Sequence, residues 1–323
     1  MKKKVRKKNV GKVQRALCHP GGQGQTVDLL DEQLILLGGK QQSGKFEFKS
    51  IHQPRKGLLG MTYSREVSPI GKSPIKHTSH SYGNQLLTIG GEEESKAKLS
   101  NSVWTRLELL WKNGSEFSRY VKGGCRVKLE KDIFLLIGGM EIGGSKGEMK
   151  TVLRMNITDE TMEELPPIQK NRAFHSCEVS ERRVLISGGK KGKYVMDDEI
   201  YSLWTNESIV LKTSKSLRRH QHHLLALGST IYAFGGTKEN GLPTDQVEKF
   251  DWETNSWVVH DHSLLSKDTK NLAITAFPRS AVDCHLGCSC GQANKSEDLR
   301  IINGIEAQVF FITFAQYSKR CRK

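Results

Sequence analysis

Three short stretches carry side chains whose types and spacing could do chemistry. The run Gly39-Lys40-Gln41-Gln42-Ser43-Gly44-Lys45 follows the apolar segment LILLGG, as a phosphate-cradling loop follows a strand. Position 46 is Phe, where magnesium needs a Ser or Thr hydroxyl, and no amphipathic helix follows. Nucleotide binding is not expected there. Cys284, His285, Cys288 and Cys290 offer thiolates and an imidazole to zinc, but a closed site pairs two such hairpins, and only Cys18-His19 and Cys321 are left to supply the second. Free thiols are the expectation, with no metal and no cofactor. The third stretch is Arg218-Arg219-His220-Gln221-His222-His223, in which His220 and His222 share one face of a strand. No motif sets a carboxylate or nucleophile beside them, so catalysis is not expected.

The elements that position these residues are repeats. Glycine doublets close the apolar runs LILLGG (Gly38, Gly39), LLTIGG (Gly90, Gly91), FLLIGG (Gly138, Gly139), VLISGG (Gly188, Gly189) and IYAFGG (Gly235, Gly236), at spacings of 52, 48, 50 and 47 residues. Thirteen residues before each first glycine stand Gln25, His77, Cys125, His175 and His222. Downstream, Val247, Phe250 and Trp257 align with Val152, Met155 and Met162 and with Ile200, Leu203 and Val210, while Trp111 does a similar job one repeat earlier. A period near fifty with no 3.6-residue apolar pattern predicts an all-β chain of radially repeated sheets. Turn pairs such as Gly83-Asn84 and Gly228-Ser229 sit where the first hairpin of a repeat closes.

The doublets, Arg172…His175, Arg219…His222 and Phe250…Trp257 resemble the kelch-repeat family over roughly residues 20–290. The resemblance implies a kelch-type β-propeller of six four-stranded blades, five clear and one degenerate. The degenerate blade is expected near Gly287-Cys288, with EAQVFFITF (306–314) as a late strand. The expected domains are a basic arm over 1–15, the propeller over 16–315 and a basic tail over 316–323. The glycines are expected to let a neighbouring blade approach closely, and the tryptophan to fill the wedge between blades.

The net charge of +15 is concentrated at the ends: the first fifteen residues supply eight positive charges and the last five supply four, which leaves +3 for the body. That argues against a phosphate-binding face for nucleic acid. The Lys3, Lys4, Arg6 run is a nuclear-import candidate. No apolar run approaches the ~20 residues of a membrane span, and no apolar core follows the basic start as in a secretory leader. The seven cysteines are expected to be reduced in a cytoplasmic or nuclear protein.

Function is expected on the loop face, where Lys76, Lys122, Arg172, Arg218 and Arg219 lead into inner strands and Lys191 follows a doublet. Such a face suits an acidic or phosphorylated segment of a partner protein. The resemblance implies a non-catalytic, monomeric interaction module, such as a substrate-recognition or scaffold subunit of a ubiquitin ligase. Ligase receptors of the family carry a BTB domain before the propeller. Only a short basic arm stands there in this sequence, so recruitment would run through a separate partner, or the chain is a fragment of a larger protein. The alternative is an actin-associated protein. A propeller enzyme is a third reading, although the tyrosine and histidine ligands of the family's copper oxidase do not map onto these residues.

Overall fold

Each apolar run that precedes a glycine doublet forms the second strand of a sheet, and in three of them the side chains are buried on both faces. In Gln85–Ile89, Ile133–Ile137 and Arg183–Ser187 the last four residues are all buried. Strands covered on both sides read as continuous apolar runs instead of alternating ones. The computed structural model describes residues 26–30, 33–37, 50–56, 62–69, 78–82, 85–89, 102–105, 110–113, 273–278, 297–302 and 309–313, and 121–261 apart from 131, 142–146, 195–196, 212–217, 228 and 245.

The described residues are all β, without a helix. They form five four-stranded antiparallel sheets and one of three strands, each built in chain order. The first sheet takes Thr26–Leu30, Gln33–Leu37, Ser50–Lys56 and Thr62–Pro69; the second takes Thr78–Tyr82, Gln85–Ile89, Ser102–Thr105 and Leu110–Asn113. Cys125–Lys128, Ile133–Ile137, Val152–Asn156 and Thr161–Leu165 make the third. Ser176–Ser180, Arg183–Ser187, Glu199–Ser202 and Ser208–Val210 make the fourth. His223–Leu227, Thr230–Phe234, Val247–Asp251 and Ser256–Asp261 make the fifth, and Ala273–Pro278, Glu297–Ile302 and Val309–Thr313 the last.

First strands lie against one another between the first and second sheets, the third and fourth, the fourth and fifth, and the fifth and last. Ala273–Pro278 lies against both His223–Leu227 and Thr26–Leu30, so the end of the chain meets its beginning. Apolar clusters fill the wedges between sheets. Leu87 and Ile89 of the second pack with Phe134, Leu136 and Met155 of the third, and Leu185 of the fourth packs with Leu224, Phe250 and Trp257 of the fifth.

Trp257 occupies its wedge as a hydrogen-bonding wall as well as apolar filler. Its ring meets Phe250 edge-on at 5.1 Å, and its indole N–H donates to Asp198 of the fourth sheet at 2.9 Å. A fixed offset from the glycines misplaces the equivalent residues one sheet earlier. Phe250 pairs with Trp257 and Met155 with Met162, but in the fourth sheet the matching pair is Tyr201 with Ser208. Ile200 and Val210 do not fill those positions, and Leu203 only flanks the core. The loop after the doublet varies in length, so the register resets in every sheet. In the last sheet Gly287-Cys288 lies outside the described residues, and the strand that follows it, Glu297–Ile302, is the second of that sheet. Gly38, Gly39, Gly90, Gly91 and the terminal segments also lie outside, and Trp111 is described only as part of its strand.

The expectation of reduced thiols fails at one pair: Cys125 and Cys177, on the first strands of the third and fourth sheets, form a disulfide. Neighbouring first strands bring their cysteines within reach, although 52 residues separate them in sequence.

The described doublets adopt left-handed backbone throughout, at φ +58° and +94° (138–139), +61° and +88° (188–189) and +58° and +91° (235–236). At Gly188 a Cβ would fall 2.0 Å from the carbonyl oxygen of Arg219 in the next sheet, whereas at Gly192, also left-handed at φ +60°, it would meet nothing within 4 Å. Gly192→Ala is therefore expected to lower unfolding free energy by about 1 kcal/mol, the conformational cost alone. Gly188→Ala should cost at least about 3 kcal/mol because a neighbouring backbone must also move. Urea denaturation of the two variants checks the difference.

Candidate functional site

The rim at the doublet end of the sheets is where the lead-in and doublet loops meet. Short ribbons join them: Val121–Lys122 pairs with Met140–Glu141, Arg219–His220 pairs with Thr237–Lys238, and Ala173 bridges Lys190. Phe174 and Gln221 hold left-handed backbone at φ +58° and +56°, as Gly123 does at +66°. Their amides link one sheet to the next, since Phe174 N–H donates to the Gly123 carbonyl at 2.7 Å and Gln221 N–H donates to the Phe174 carbonyl at 2.9 Å. Non-glycine residues in this region carry roughly 1–3 kcal/mol of strain each, which the sheet-to-sheet bonds hold in place.

Two residues expected to contact a partner do not reach the surface. Arg172 is fully buried and Arg219 is 2% exposed. The Arg172 guanidinium pairs with Glu199 and donates at 3.0 Å to the carbonyls of Gly188 and Asp197. Arg219 repeats the arrangement with Glu248 and the Gly235 carbonyl at 2.8 Å. Each arginine precedes the doublet carbonyl that it binds by 16 residues. The fork of each guanidinium thus ties the lead-in loop to the doublet and to the third strand of its own sheet. In the third sheet Lys122 stands 16 residues before Gly138 and Leu153 lies opposite Leu136, so the Arg–Glu pair has no counterpart there.

The remaining expected rim residues are more open. Lys122 is half-buried, and Lys191 is exposed in a hairpin with Lys193. The Arg218 side chain is 59% exposed and lies 3.9 Å from Glu239. Lys76 lies outside the described residues, as do Lys3, Lys4, Arg6, the Gly39–Lys45 run and the cluster from Cys284 to Cys290.

Arg218 borders a cleft of about 480 Å³, lined also by Arg219, Lys238, Glu239, Asn240, Gln246 and Glu248. The buried Arg219–Glu248 pair forms its floor, and the exposed Arg218, Lys238, Glu239 and Asn240 form its mouth. A reading confined to strand-leading residues misses Lys238, Glu239 and Asn240, which lie beyond the doublet. The available signal was the ribbon pairing, which sets Lys238 opposite Arg219. Beside the cleft, Leu242 is 60% exposed at the tip of the same loop.

The histidines serve the joints. His175 and His222 are buried, and the Cε1 atom of each lies under 3 Å from where a Cβ on Gly138 or Gly188 would stand. Burial and the Arg172 charge lower the His175 imidazole to about 3, and burial with the Arg219 charge holds His222 well below its usual value. Burial pushes Asp198 the other way, up to about 6, offset in part by hydrogen bonds that include the Trp257 donor. Among the described residues no group of three or more His, Cys, Asp or Glu side chains is placed to hold a metal, and no helix is long and apolar enough to cross a membrane.

With this geometry the comparisons with known proteins agree. The family model for the Kelch motif matches residues 218–259, the fifth sheet with its lead-in loop and cleft, and supports a kelch-repeat family. No curated protein matches the chain. A Kelch motif on radially arranged sheets indicates a protein-interaction module.

The buried pairs predict unequal costs for two adjacent kinds of arginine. Arg172→Ala strands the Glu199 charge and should lower stability by about 3–5 kcal/mol, while Arg218→Ala should stay within about 0.5 kcal/mol; chemical denaturation separates them. Acid sensitivity follows from the histidines. Between about pH 6.5 and 3 the unfolded chain takes up a proton that His175 refuses when folded, and His222 acts in the same direction, so stability falls as pH drops through this window. Asp198 opposes this between about pH 4 and 6, where only the folded state keeps its proton. His175→Gln should therefore reduce the slope of stability against pH, between 4 and 6, by up to about 1.4 kcal/mol per unit. Denaturation midpoints across that range test it.

Proposed function

We propose that this kelch-repeat chain is a non-catalytic adaptor whose rim, at the cleft of the fifth sheet, holds an acidic segment of a partner protein. The observation that carries the reading is the division of labour among the arginines. Arg219 is committed to Glu248 below, which leaves Arg218 and Lys238 as exposed cations at the mouth of a concave polar site. Among the described residues Arg218 is opposed by Glu239, at 3.9 Å, and both side chains are more than half exposed. An exposed pair of that kind is worth at most about 1 kcal/mol, so an incoming carboxylate can displace Glu239 from it. The guanidinium offers two parallel donors to a carboxylate, and Lys238 adds a mobile charge beside it. Lys191 and Lys122 extend positive charge to the rims of the two preceding sheets, while Leu242 gives an apolar neighbour to the cleft.

The adaptor acts as a monomer in the cytoplasm or nucleus, with the propeller spanning 16–315 between a basic arm at 1–15 and a basic tail at 316–323. Its finer role is that of a scaffold or substrate-recognition subunit in a ubiquitin ligase.

Affinity capture with the intact chain, followed by mass spectrometry, tests the placement. Proteins retained by the unaltered chain should be lost with the Arg218→Glu, Lys238→Glu double variant and eluted by raising salt from 0.1 to about 0.5 M, as expected for exposed charges. Equal retention by the two would remove the cleft as the binding site. A cullin among the retained proteins supports the ligase role, and actin in its place would replace that role with a cytoskeletal one.

A further inference from the structure

The joint between the third and fourth sheets differs from the next one in how it is fastened. Both joints share the backbone bonds. Gly139 N–H donates to the Arg172 carbonyl at 2.8 Å and Gly189 N–H to the Arg219 carbonyl at 3.1 Å. Between the fourth and fifth sheets a side chain adds to them, with the Ser176 hydroxyl accepting from Leu224 N–H at 2.8 Å. Between the third and fourth sheets the added element is the Cys125–Cys177 disulfide. It lies within the apolar cluster of Val127, Ile137, Val184, Ile186 and Tyr201, and its two residues are 8% and 6% exposed. It also stands at the sheet that lacks an Arg–Glu pair on its rim.

We propose that Cys125 and Cys177 form a reversible redox clasp that sets how tightly the fourth sheet's lead-in loop is held to the third. Oxidation removes two electrons and two protons from the pair. A small-molecule disulfide such as oxidised glutathione accepts them: one cysteine thiolate attacks it and expels a glutathione thiolate, and the second cysteine thiolate then attacks the mixed disulfide and expels another. The products are the Cys125–Cys177 bond and two molecules of reduced glutathione. In a compartment where glutathione keeps thiols reduced, the bond is formed in response to oxidant. Because the sulfurs sit in an apolar cluster, exchange waits on local opening of the joint, and closure of the bond in turn suppresses that opening. Two small apolar thiols pack in the same space when the bond is broken, so the reduced state keeps the fold and loosens one joint. The segment under control includes Arg172, Ala173 and Phe174, whose backbone forms one side of the rim. This inference is independent of the cleft on the fifth sheet.

The test uses the intact chain equilibrated with oxidised glutathione, then alkylated and digested without reductant. A peptide linking Cys125 to Cys177 is expected, distinct from any pairing of the other five cysteines. Hydrogen exchange is then compared before and after reduction with a phosphine. The amides of Gly139, Arg172 and Phe174 should exchange at least about tenfold faster in the reduced protein, while that of Gly189, at the next joint, should not change. Cys177→Ser should match the reduced protein under both conditions; if that variant does not fold, the reduced and oxidised forms of the unaltered chain decide alone. Absence of the linked peptide, or equal exchange at Gly139 and Phe174 in the two forms, overturns the clasp.

Discussion

A carbonyl group of one sheet resting on the glycine backbone of the sheet before it is the contact on which the rest of this molecule depends. The Gly139 and Gly189 amides each donate to the carbonyl of an arginine in the following sheet, and a Cβ on the preceding glycine, Gly138 or Gly188, would meet that same carbonyl oxygen at 2.8 or 2.0 Å. Left-handed backbone turns the amide toward its acceptor, and the missing Cβ lets the acceptor approach. Everything outside that contact is arranged so that it recurs. Four-residue apolar runs deliver the glycines to one level, histidines flank them, and the arginines whose carbonyls are used fold their side chains back to bind the next doublet along.

This double use of the arginine explains why two of the most suggestive cations are absent from the surface. A guanidinium can satisfy two carbonyls and a carboxylate at once, and Arg172 and Arg219 do so with the first doublet carbonyl, a loop carbonyl and Glu199 or Glu248. Burying a charged pair is costly, and it is tolerable here because nearly every donor finds an acceptor. The loop face therefore inherits its chemistry from residues one place away in sequence: Arg218 beside Arg219, and Lys238 across the ribbon from it.

The repeat, and with it the all-β class, was legible because glycine doublets after apolar runs leave a mark that no other constraint produces at a fifty-residue period. The glycines, the wedge-filling Trp257 and the histidine column were readable for the same reason. The burial of Arg172 and Arg219 was not, because an arginine before a strand looks the same whether it turns outward or inward; only Glu199 and Glu248 on the third strands decide it. Tyr201 was hidden by loop-length variation after the doublet, which breaks any fixed offset. The Cys125–Cys177 bond was obscured because one cysteine stands in the histidine column and the other two places beyond it in the next repeat, a match that appears only when the first strands are set side by side.

Trp257 adds a mechanical consequence. The fourth and fifth sheets touch through Gly189 and Arg219, and again where the outermost strand of the fifth sheet sends an indole N–H to Asp198. A plate held at a single contact can pivot about it, whereas two separate contacts oppose that motion. The cleft at Arg218 and the neighbouring Lys191 hairpin are thus carried on a rigid base with a constant separation. On the proposed reading, an acidic segment bound there meets cations at a set spacing, and selectivity would come from how far apart its own charged groups are.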